Sequence, residues 1–182
     1  LPEKIDLIEG FEWGTNVSPE GLSDGYSHAL VSSFASRADL EAYGPHPEHE
    51  AFRQVLAPVR DRVTVVDYVP RVVVAAPEKR PGQVRHVVLF QFKDSATPEQ
   101  VEGIEKAFVE LPEKIDTIQG FEWGTSVGPE DRTDGFTHCF VLTFADEAGR
   151  DAYLPHPAHK EFGKALGPYV ERVRVVDFEV RK

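Results

Sequence analysis

Two segments of the sequence carry the same reactive side chains at the same spacing. Residues 42–52 read AYGPHPEHEAF, and residues 152–162 read AYLPHPAHKEF. In each segment a tyrosine precedes a histidine by six positions, and a His-Pro pair lies between them. An imidazole takes or gives a proton near neutral pH, and a phenol donates a hydrogen bond to a developing oxyanion. The spacing therefore indicates acid–base chemistry by two pairs, Tyr43 with His49 and Tyr153 with His159.

The other histidines follow the same duplication. Of the seven, six form three matched pairs, 28 with 138, 46 with 156 and 49 with 159, whereas His86 has no counterpart. We expect His86 and His138, near the beginnings of two strands, to share an aromatic face with Tyr153 and His159. Three imidazoles and a phenol would then line one pocket between sheet and helices. Its apolar wall would consist of Phe90, Phe92, Phe140 and Phe144. In the first copy, His28 corresponds to His138.

Each of these residues also has a packing interpretation. The strand histidines could be satisfied by the backbone, and His159 could be a hydrogen-bonded core residue. Tyr153 could be a core aromatic residue with its hydroxyl at the edge. His156 comes directly before a proline, and we expect it to mark the start of a helix rather than to take part in chemistry.

Metal chemistry is the other catalytic option. His156 and His159, three residues apart, could supply nitrogen ligands together with His138 or His86. The sequence has no HExxH, no CxxC and no carboxylate-rich loop to support this option. It also has no phosphate-binding glycine loop, no dinucleotide fingerprint and no serine in a nucleophile elbow. We therefore expect neither a metal nor an organic cofactor.

The whole chain is a tandem duplication. Residues 1–71 align without a gap on residues 111–181, and LPEKID, GFEWGT and VVD followed by an aromatic residue all recur. The second copy also has a strand-like segment and a helix before this match, so it reads β-α-β-β-α-β, the ferredoxin-like order. We assign residues 1–71 to the first repeat, 72–83 to a linker and 84–182 to the second repeat.

The predicted elements of the second repeat alternate clearly along the chain. Strands are expected at residues 84–93, 120–127, 136–145 and 172–180, with a turn-rich loop at 128–135 and a helix near 97–111. Residues 146–171 are expected to be helical, with an interruption at Pro155 and Pro157. The first repeat is expected to supply β-β-α-β, without the first strand and most of the first helix.

Strand alternation predicts that the two repeats cover each other. In the strand at 136–145, even-numbered residues from His138 onward face one side and Cys139, Val141 and Thr143 face the other, yet both sides are largely apolar. Helices cover only one face of a ferredoxin-like sheet, so the other face needs a second sheet. We expect an α+β barrel in which two sheets pack face to face, like a dimer fused into one chain. A missing strand would expose an edge, so we also expect about 25 to 30 further N-terminal residues in the natural protein.

Composition restricts the partners and the compartment. The net charge of −11 opposes binding to nucleic acid or to anionic membranes. No apolar run is long enough for a membrane helix, and no signal peptide is visible at the start. The single cysteine, Cys139, permits no intrachain disulfide, which favours a cytoplasmic protein. We expect Cys139 to pack rather than to react. We expect Trp13 and Trp123 of the FEWGT motifs to pack in the core or at the sheet interface.

The sequence resembles the stress-responsive dimeric α/β-barrel family. Five motifs carry the resemblance: HVVLFQFK, GFEWGTSV, DGFTHCFVLTF, AYLPHPAHKEF and VVDF. The resemblance covers about 84–181 in full and 1–71 without the first strand and helix. It implies a barrel of two ferredoxin-like units. A plant polyketide cyclase of this family performs an aldol cyclisation without a cofactor. Its base matches His159, the tyrosine beside that base matches Tyr153, and further pocket histidines match His86 and His138. A second pocket tyrosine falls at Phe108.

These observations leave two classes of function open. One is a cofactor-independent cyclase, lyase or isomerase acting on an apolar carbonyl compound, with His159 as general base. In the first repeat the corresponding residues are His49, Tyr43 and His28. The other is a non-catalytic stress-responsive barrel or a small-ligand-binding scaffold. A pocket of several hundred cubic ångströms open to solvent would favour the first class, and side chains filling that space would favour the second.

Overall fold

The structure is a computed structural model that describes residues 1–128 and 132–181. In chain order its elements are β1 (Ile8–Thr15), β2 (His28–Phe34), α1 (Arg37–Tyr43), α2 (Pro47–Leu56), β3 (Arg71–Val74), β4 (Val84–Phe92), α3 (Pro98–Val109), β5 (Ile118–Thr125), β6 (His138–Phe144), α4 (Glu147–Tyr153), α5 (Pro157–Leu166) and β7 (Val170–Glu179). The loop predicted at 128–135 includes residues 129–131, which lie outside the described ranges.

The second repeat has the predicted β-α-β-β-α-β order. Its strands form an antiparallel sheet in the order β5-β6-β4-β7, the ferredoxin-like arrangement. A capping box begins α3, because Thr97 Oγ1 accepts from the N–H of Gln100 and the Gln100 side chain accepts from the N–H of Thr97. The break in the second helix is confirmed, since α4 ends at Tyr153 and α5 begins at Pro157.

Phenylalanine rings fill the space between this sheet and its helices. The ring centroid of Phe108 on α3 lies 4.5 Å from that of Phe140 on β6 and 4.5 Å from that of Phe162 on α5. Phe90 on β4 lies 4.9 Å from Phe140. All four rings are buried, and burying each stabilises the fold by about 1.5–3 kcal/mol. The predicted division of β4 and β6 into a helix-covered face and a second face is confirmed.

The first repeat forms less regular structure than predicted. β1 and β2 pair antiparallel as a two-stranded sheet, followed by α1 and α2. The prediction of a closing strand at the end of the first repeat is wrong. Residues 62–68 form no regular strand, and a single bridge joins Tyr68 to Ser126. In the second repeat the equivalent strand, β7, pairs with β4, and residues 1–71 contain no counterpart of β4. A strand without a neighbour has no ladder of hydrogen bonds to hold it.

Part of the predicted linker is a strand of the second sheet. β3 pairs antiparallel with β5 and extends the sheet to five strands, in the order β3-β5-β6-β4-β7. Arg71 lies opposite Trp123 in this pairing, and its guanidinium lies 4.7 Å from the indole ring centroid. The chain therefore crosses to the second repeat before residue 84 begins that repeat's own first strand.

Close approaches between the repeats follow a pseudo-two-fold pattern. A Cβ on Gly14 would lie 2.7 Å from Cβ of Phe178, so only glycine allows β1 to approach β7 at this point. At the equivalent positions, a Cβ on Gly124 would lie 2.8 Å from the ring of Tyr68. Each repeat thus offers a glycine to the aromatic residue of the other, which is the self-complementary contact expected of a two-fold interface.

Backbone hydrogen bonds repeat this symmetry. The N–H of Val17 donates to the carbonyl of Asp177 at 2.9 Å, and the N–H of Val127 donates to the carbonyl of Asp67 at 2.8 Å. These pairs are equivalent under the offset that relates the two copies. The fused-dimer arrangement of the two repeats is confirmed.

Polar side chains on the inner sheet faces also join the repeats. The guanidinium of Arg85 donates to both carboxylate oxygens of Glu12, at 2.6 Å and 2.9 Å. The hydroxyl of Tyr68 donates to Glu122 at 2.7 Å. Glu12 and Glu122 are equivalent residues, so each repeat places the same carboxylate in the interface. The donor differs, because the second repeat supplies an arginine and the first supplies a tyrosine.

The repeats differ in how much they bury. Trp123 is 5% exposed in the core, as predicted, whereas its equivalent Trp13 is 43% exposed, so the packing role predicted for Trp13 is wrong. Trp123 packs among the residues under α3, and residues 1–71 contain no helix equivalent to α3. Cys139 is buried as predicted, and burial raises the pKa of its thiol to about 12. Among the described residues, no helix has the length and apolar character to cross a membrane.

Candidate functional site

The antiparallel pairing of β4 and β7 creates a buried charged cluster in the second repeat. His86 and Asp177 lie opposite each other, and the Nδ1 of His86 is 2.7 Å from Oδ1 of Asp177. The other carboxylate oxygen of Asp177 accepts from the guanidinium of Arg150 on α4. Burial alone raises the pKa of Asp177, but His86 and Arg150 outweigh it and hold the net pKa below its usual range. Asp177 is therefore ionised, and His86 Nδ1 donates to it.

The break between α4 and α5 positions His159. His156 accepts from the N–H of Ala158 at 3.2 Å and caps α5, so its predicted structural role is confirmed. The Nδ1 of His159 lies 3.0 Å from the carbonyl oxygen of Leu154. A carbonyl only accepts, so Nδ1 carries the proton of the neutral ring and Nε2 carries a free lone pair. Burial lowers the pKa of His159, against the opposing effect of the Leu154 hydrogen bond.

Tyr153 lies between the two histidines. Its ring centroid is 4.2 Å from that of His159 and 5.6 Å from that of His86, and Phe144 packs against it at 5.1 Å. The residue is fully buried, and its hydroxyl makes no hydrogen bond within the described part of the chain. Burial raises the pKa of Tyr153 well above its ordinary value, so the phenol stays protonated. An unpaired buried hydroxyl costs about 1–3 kcal/mol, which a substrate oxygen could recover.

His138 does not join this group, contrary to the predicted common pocket. It lies six residues before Phe144 on β6, which is about 20 Å along the strand. Phe144 is the residue of β6 that contacts Tyr153. The prediction placed His86 and His138 together because both begin strands, but antiparallel strands begin at opposite ends of a sheet. His138 is satisfied by Glu105 at 2.9 Å and Thr137 at 2.8 Å. Burial lowers its pKa, although Glu105 opposes this.

The first repeat contains the same Tyr–His pair in a more open setting. The rings of Tyr43 and His49 stack at 4.1 Å, and the Nδ1 of His49 lies 2.9 Å from the carbonyl oxygen of Gly44. Tyr43 is half-buried rather than enclosed. His28 is exposed and contacts Ser27, at the far end of β2 from the Tyr43 ring, so the predicted grouping of His28 with the pair is wrong.

Three residues of the second site were missed by sequence reasoning. Asp177 has a visible signal, since it is the one charged residue in the repeated VVDF and VVDY motifs. Arg150 gives a weaker sequence signal, because its charge is not repeated: the equivalent residue in the first repeat is Leu40. Glu20 gives none, because it lies in the loop between β1 and β2 of the other repeat, with Oε2 3.9 Å from the Nδ1 of His86.

The metal ligands suggested by the sequence are not brought together. His156 uses its Nδ1 as a helix cap, and His159 uses its Nδ1 on a backbone carbonyl. A different trio, Glu20, His86 and Asp177, brings one ligand atom each within 4.8 Å of one another. The Nδ1 of His86 and the guanidinium of Arg150 already engage the two carboxylate oxygens of Asp177, so a metal ion would have to displace one of these hydrogen bonds. The trio fits a hydrogen-bonded charge cluster better than a metal site.

Comparison with known proteins fits this architecture. The sequence profile described as "Stress responsive A/B Barrel Domain" matches residues 1–70 and 84–180, which together make up most of the chain. The chain belongs to the stress responsive A/B barrel domain family. The two matched segments are the two repeats, so this A/B barrel protein carries the family domain twice.

The relatives of this A/B barrel protein include proteins named for a stress response and proteins named as enzymes. A stress-response A/B barrel domain-containing protein, HS1 of Arabidopsis thaliana, is 35% identical over 102 residues, 56% of this chain and 94% of the relative. The olivetolic acid cyclase of Cannabis sativa is 31% identical over 99 residues, 54% of this chain and 98% of the relative. The structure of a hydroxynitrile lyase from Passiflora edulis matches with a TM-score of 0.53 and 28% identity, over 57% of this chain and 97% of that one.

The interior of this A/B barrel protein limits the room beside the site. Phe108 stands where the resemblance implied a second pocket tyrosine, and its ring contacts Phe90, Phe140 and Phe162. The aromatic wall expected around a pocket is therefore packed ring against ring. Tyr153 lies between His159 and His86 at one end of this sheet.

Proposed function

We propose that the second repeat is a cofactor-independent lyase or cyclase that transfers a proton on a small carbonyl compound or a carbonyl adduct. The observation that carries this proposal is the hydrogen bond between Nδ1 of His159 and the Leu154 carbonyl, which leaves Nε2 free to act as a base. The ring of Tyr153, whose hydroxyl has no hydrogen-bond partner among the described residues, lies 4.2 Å from the His159 ring. A base with a lowered pKa and a protonated phenol are matched to this task at neutral pH.

In the proposed reaction His159 is the general base. Its Nε2 takes a proton either from a carbon next to a carbonyl or from the hydroxyl of a carbonyl adduct. In the first case the C–H electrons form an enolate, and in the second the oxygen electrons form a carbonyl as the bond to the leaving group breaks. The Tyr153 hydroxyl donates a hydrogen bond to the oxygen that carries the charge. The proton on His159 then returns to the product or to the leaving anion.

Two relatives support this class of reaction. A cyclase and a hydroxynitrile lyase are named among the similar proteins. Both names describe bond making or breaking next to a carbonyl carbon, which a single positioned base can serve. The phenyl packing around Phe108 favours a smaller substrate than a long-chain polyketide.

The test uses two probes, mandelonitrile cleavage and hydrogen–deuterium exchange at the methyl group of acetophenone. His159→Ala is expected to lower turnover of an accepted probe by about 10²- to 10⁴-fold, the usual contribution of a general base. His49→Ala, the equivalent change in the first repeat, is expected to retain turnover because residues 1–71, all of which the structure describes, contain no counterpart of His86. Turnover should fall as the pH drops through the lowered pKa of His159, since the protonated ring cannot act as a base. Equal turnover by wild type and His159→Ala would contradict the proposal.

The second candidate function is a non-catalytic stress-responsive barrel. The rings that fill the space between the sheet and its helices favour it, because they leave the interior as a packed core. Under this alternative the Tyr153 hydroxyl would be a buried group without a ligand. Absence of turnover on both probes, with no shift of the Tyr153 or His159 resonances on adding either probe, would favour this candidate.

A further inference from the structure

The loop between β1 and β2 of the first repeat is bound to the second repeat's site. The amide oxygen of Asn16 accepts from the N–H of Asp177 at 3.1 Å, and the N–H of Val17 donates to the Asp177 carbonyl at 2.9 Å. The carbonyl of Val17 accepts from Arg150 at 3.2 Å, and the carbonyl of Leu22 accepts from the N–H of Val175 at 3.0 Å. The loop is therefore held in place on both sides of Glu20.

Glu20 points from this loop into the cluster. Its side chain is 20% exposed, its Oε2 lies 3.9 Å from the Nδ1 of His86, and that oxygen makes no hydrogen bond among the described residues. Burial raises the pKa of Glu20, an effect that His86 opposes. Removing a carboxylate from water without giving it a hydrogen-bond donor costs free energy. The burial of Glu20 beside His86 must therefore be offset by another interaction.

The charges around His86 indicate what that interaction is. Asp177 and Glu20 bring two negative charges to His86, whereas Arg150 brings one positive charge from α4. The Arg150 guanidinium also contacts Asp151, which is largely exposed to water. Two other ionisable groups lie around His86, namely Tyr153 on α4 and His159 on α5. Both are neutral in the arrangement described above. One further positive charge would neutralise the cluster, and His86 is the group that can carry it.

We propose that Glu20 is a positioning residue of the second repeat's site, contributed by the first repeat, which holds His86 in its doubly protonated form. The Nδ1–H of His86 then donates to Asp177, and its Nε2–H is free to donate to the substrate oxygen, opposite the base His159. A charge-assisted hydrogen bond is about twice as strong as a neutral one, so an imidazolium at this position strengthens the stabilisation that Tyr153 provides. This inference rests on the proposed function for its catalytic consequence.

The test is nitrogen-15 NMR of the His86 imidazole in the full chain at pH 7. The wild-type protein is expected to show the pattern of an imidazolium, with both ring nitrogens protonated. The isosteric Glu20→Gln is expected to shift His86 to the neutral pattern, while the resonances of His138, at the other end of the sheet, stay unchanged. Glu9→Gln, which removes an exposed carboxylate from β1, is the matched control and is expected to leave both histidines unchanged.

Two readouts keep this inference separate from the proposed function. A neutral His86 in the wild type, or an imidazolium that persists in Glu20→Gln, would overturn the inference whatever the enzyme assays show. On an accepted probe, Glu20→Gln is expected to lower kcat/KM about tenfold with an unchanged melting temperature. If His159→Ala keeps full turnover, the proposed function fails while the NMR result still decides the charge of His86.

Discussion

The two repeats build the same Tyr–His pair but surround it differently. The ring centroids lie 4.1 Å apart in the first repeat and 4.2 Å apart in the second, and both histidines contact a carbonyl five residues earlier. Only in the second pair is the tyrosine fully buried, and only there does it contact a further, buried histidine, His86. The local unit is therefore independent of its surroundings, whereas the chemistry proposed for it depends on them.

The equivalent aspartates show the difference most clearly. Asp67 and Asp177 accept the same backbone hydrogen bond from the opposite repeat. Burial raises the pKa of Asp67, and Arg132 opposes this only in part. The pKa of Asp177 is lowered, because His86 and Arg150 outweigh burial. An identical residue at an identical backbone position thus acquires the opposite tendency. His86 lies on β4, which has no counterpart in residues 1–71, and the equivalent of Arg150 in the first repeat is Leu40.

The largest expected difference between the repeats comes from the phenylalanines that support the tyrosines. Phe144 is fully buried against Tyr153, whereas Phe34 is only half-buried against Tyr43. We expect Phe144→Ala to lower the free energy of unfolding by about 3–5 kcal/mol, because it empties a packed core. Phe34→Ala should cost clearly less. Denaturant titration measures both values, and equal losses would show that the first repeat is as well packed as the second.

A smaller effect is expected from changing the aspartates to asparagine. Asp177→Asn weakens hydrogen bonds to charged partners and should cost about 1.5–3 kcal/mol at neutral pH. Asp67→Asn removes a buried carboxylate with a raised pKa and should leave the stability unchanged or increased. Thermal unfolding of both variants at pH 7 provides the comparison. A large loss for Asp67→Asn would mean that its charge is paired as well as that of Asp177.

The pH dependence of the same two variants should differ in sign. The folded state holds the pKa of Asp177 below that of the unfolded chain, so its contribution is present above the unfolded value and is lost as pH falls through the folded value. The pKa of Asp67 is raised, so its stabilising effect is present at low pH and is lost as pH rises from the unfolded to the folded value. Compared with wild type, Asp177→Asn should lose less stability on acidification, and Asp67→Asn should lose more.

The smallest expected effect is spectroscopic. The chain has two tryptophans, Trp13 at 43% exposure and Trp123 at 5% exposure. Trp123→Phe, which leaves only Trp13, should emit at longer wavelength and be quenched readily by acrylamide. Trp13→Phe should emit at shorter wavelength and resist quenching. Indistinguishable spectra would indicate that Trp13 is covered in solution.

Sequence patterns predicted the second repeat well because its signals are local. Strand alternation identified the two faces of β4 and β6, and the two prolines located the break before α5. The closing strand of the first repeat was predicted from the same kind of pattern and does not form as a regular strand. Its composition is that of a strand, but a strand also needs a hydrogen-bonding neighbour, and residues 1–71 do not contain one.

The candidate site was predicted only in part. Tyr153, His159 and His86 were identified and are close together, whereas His138 and His28 lie at the far ends of their strands. The error came from strand direction, since a position near the start of a strand says nothing about which end of an antiparallel sheet it occupies. The charged residues around His86 were missed because no spacing rule connects them to it.

The sequence by itself determined the duplication, the ferredoxin-like order and the geometry of each Tyr–His pair, because residues within one helix break are held together by local backbone geometry. The tertiary structure alone decided that Asp177, Arg150 and Glu20 surround His86. These residues come from a strand, a helix and the other repeat, as far as 157 positions apart in the chain. Only sheet register and the packing of one repeat against the other can bring such distant charges together.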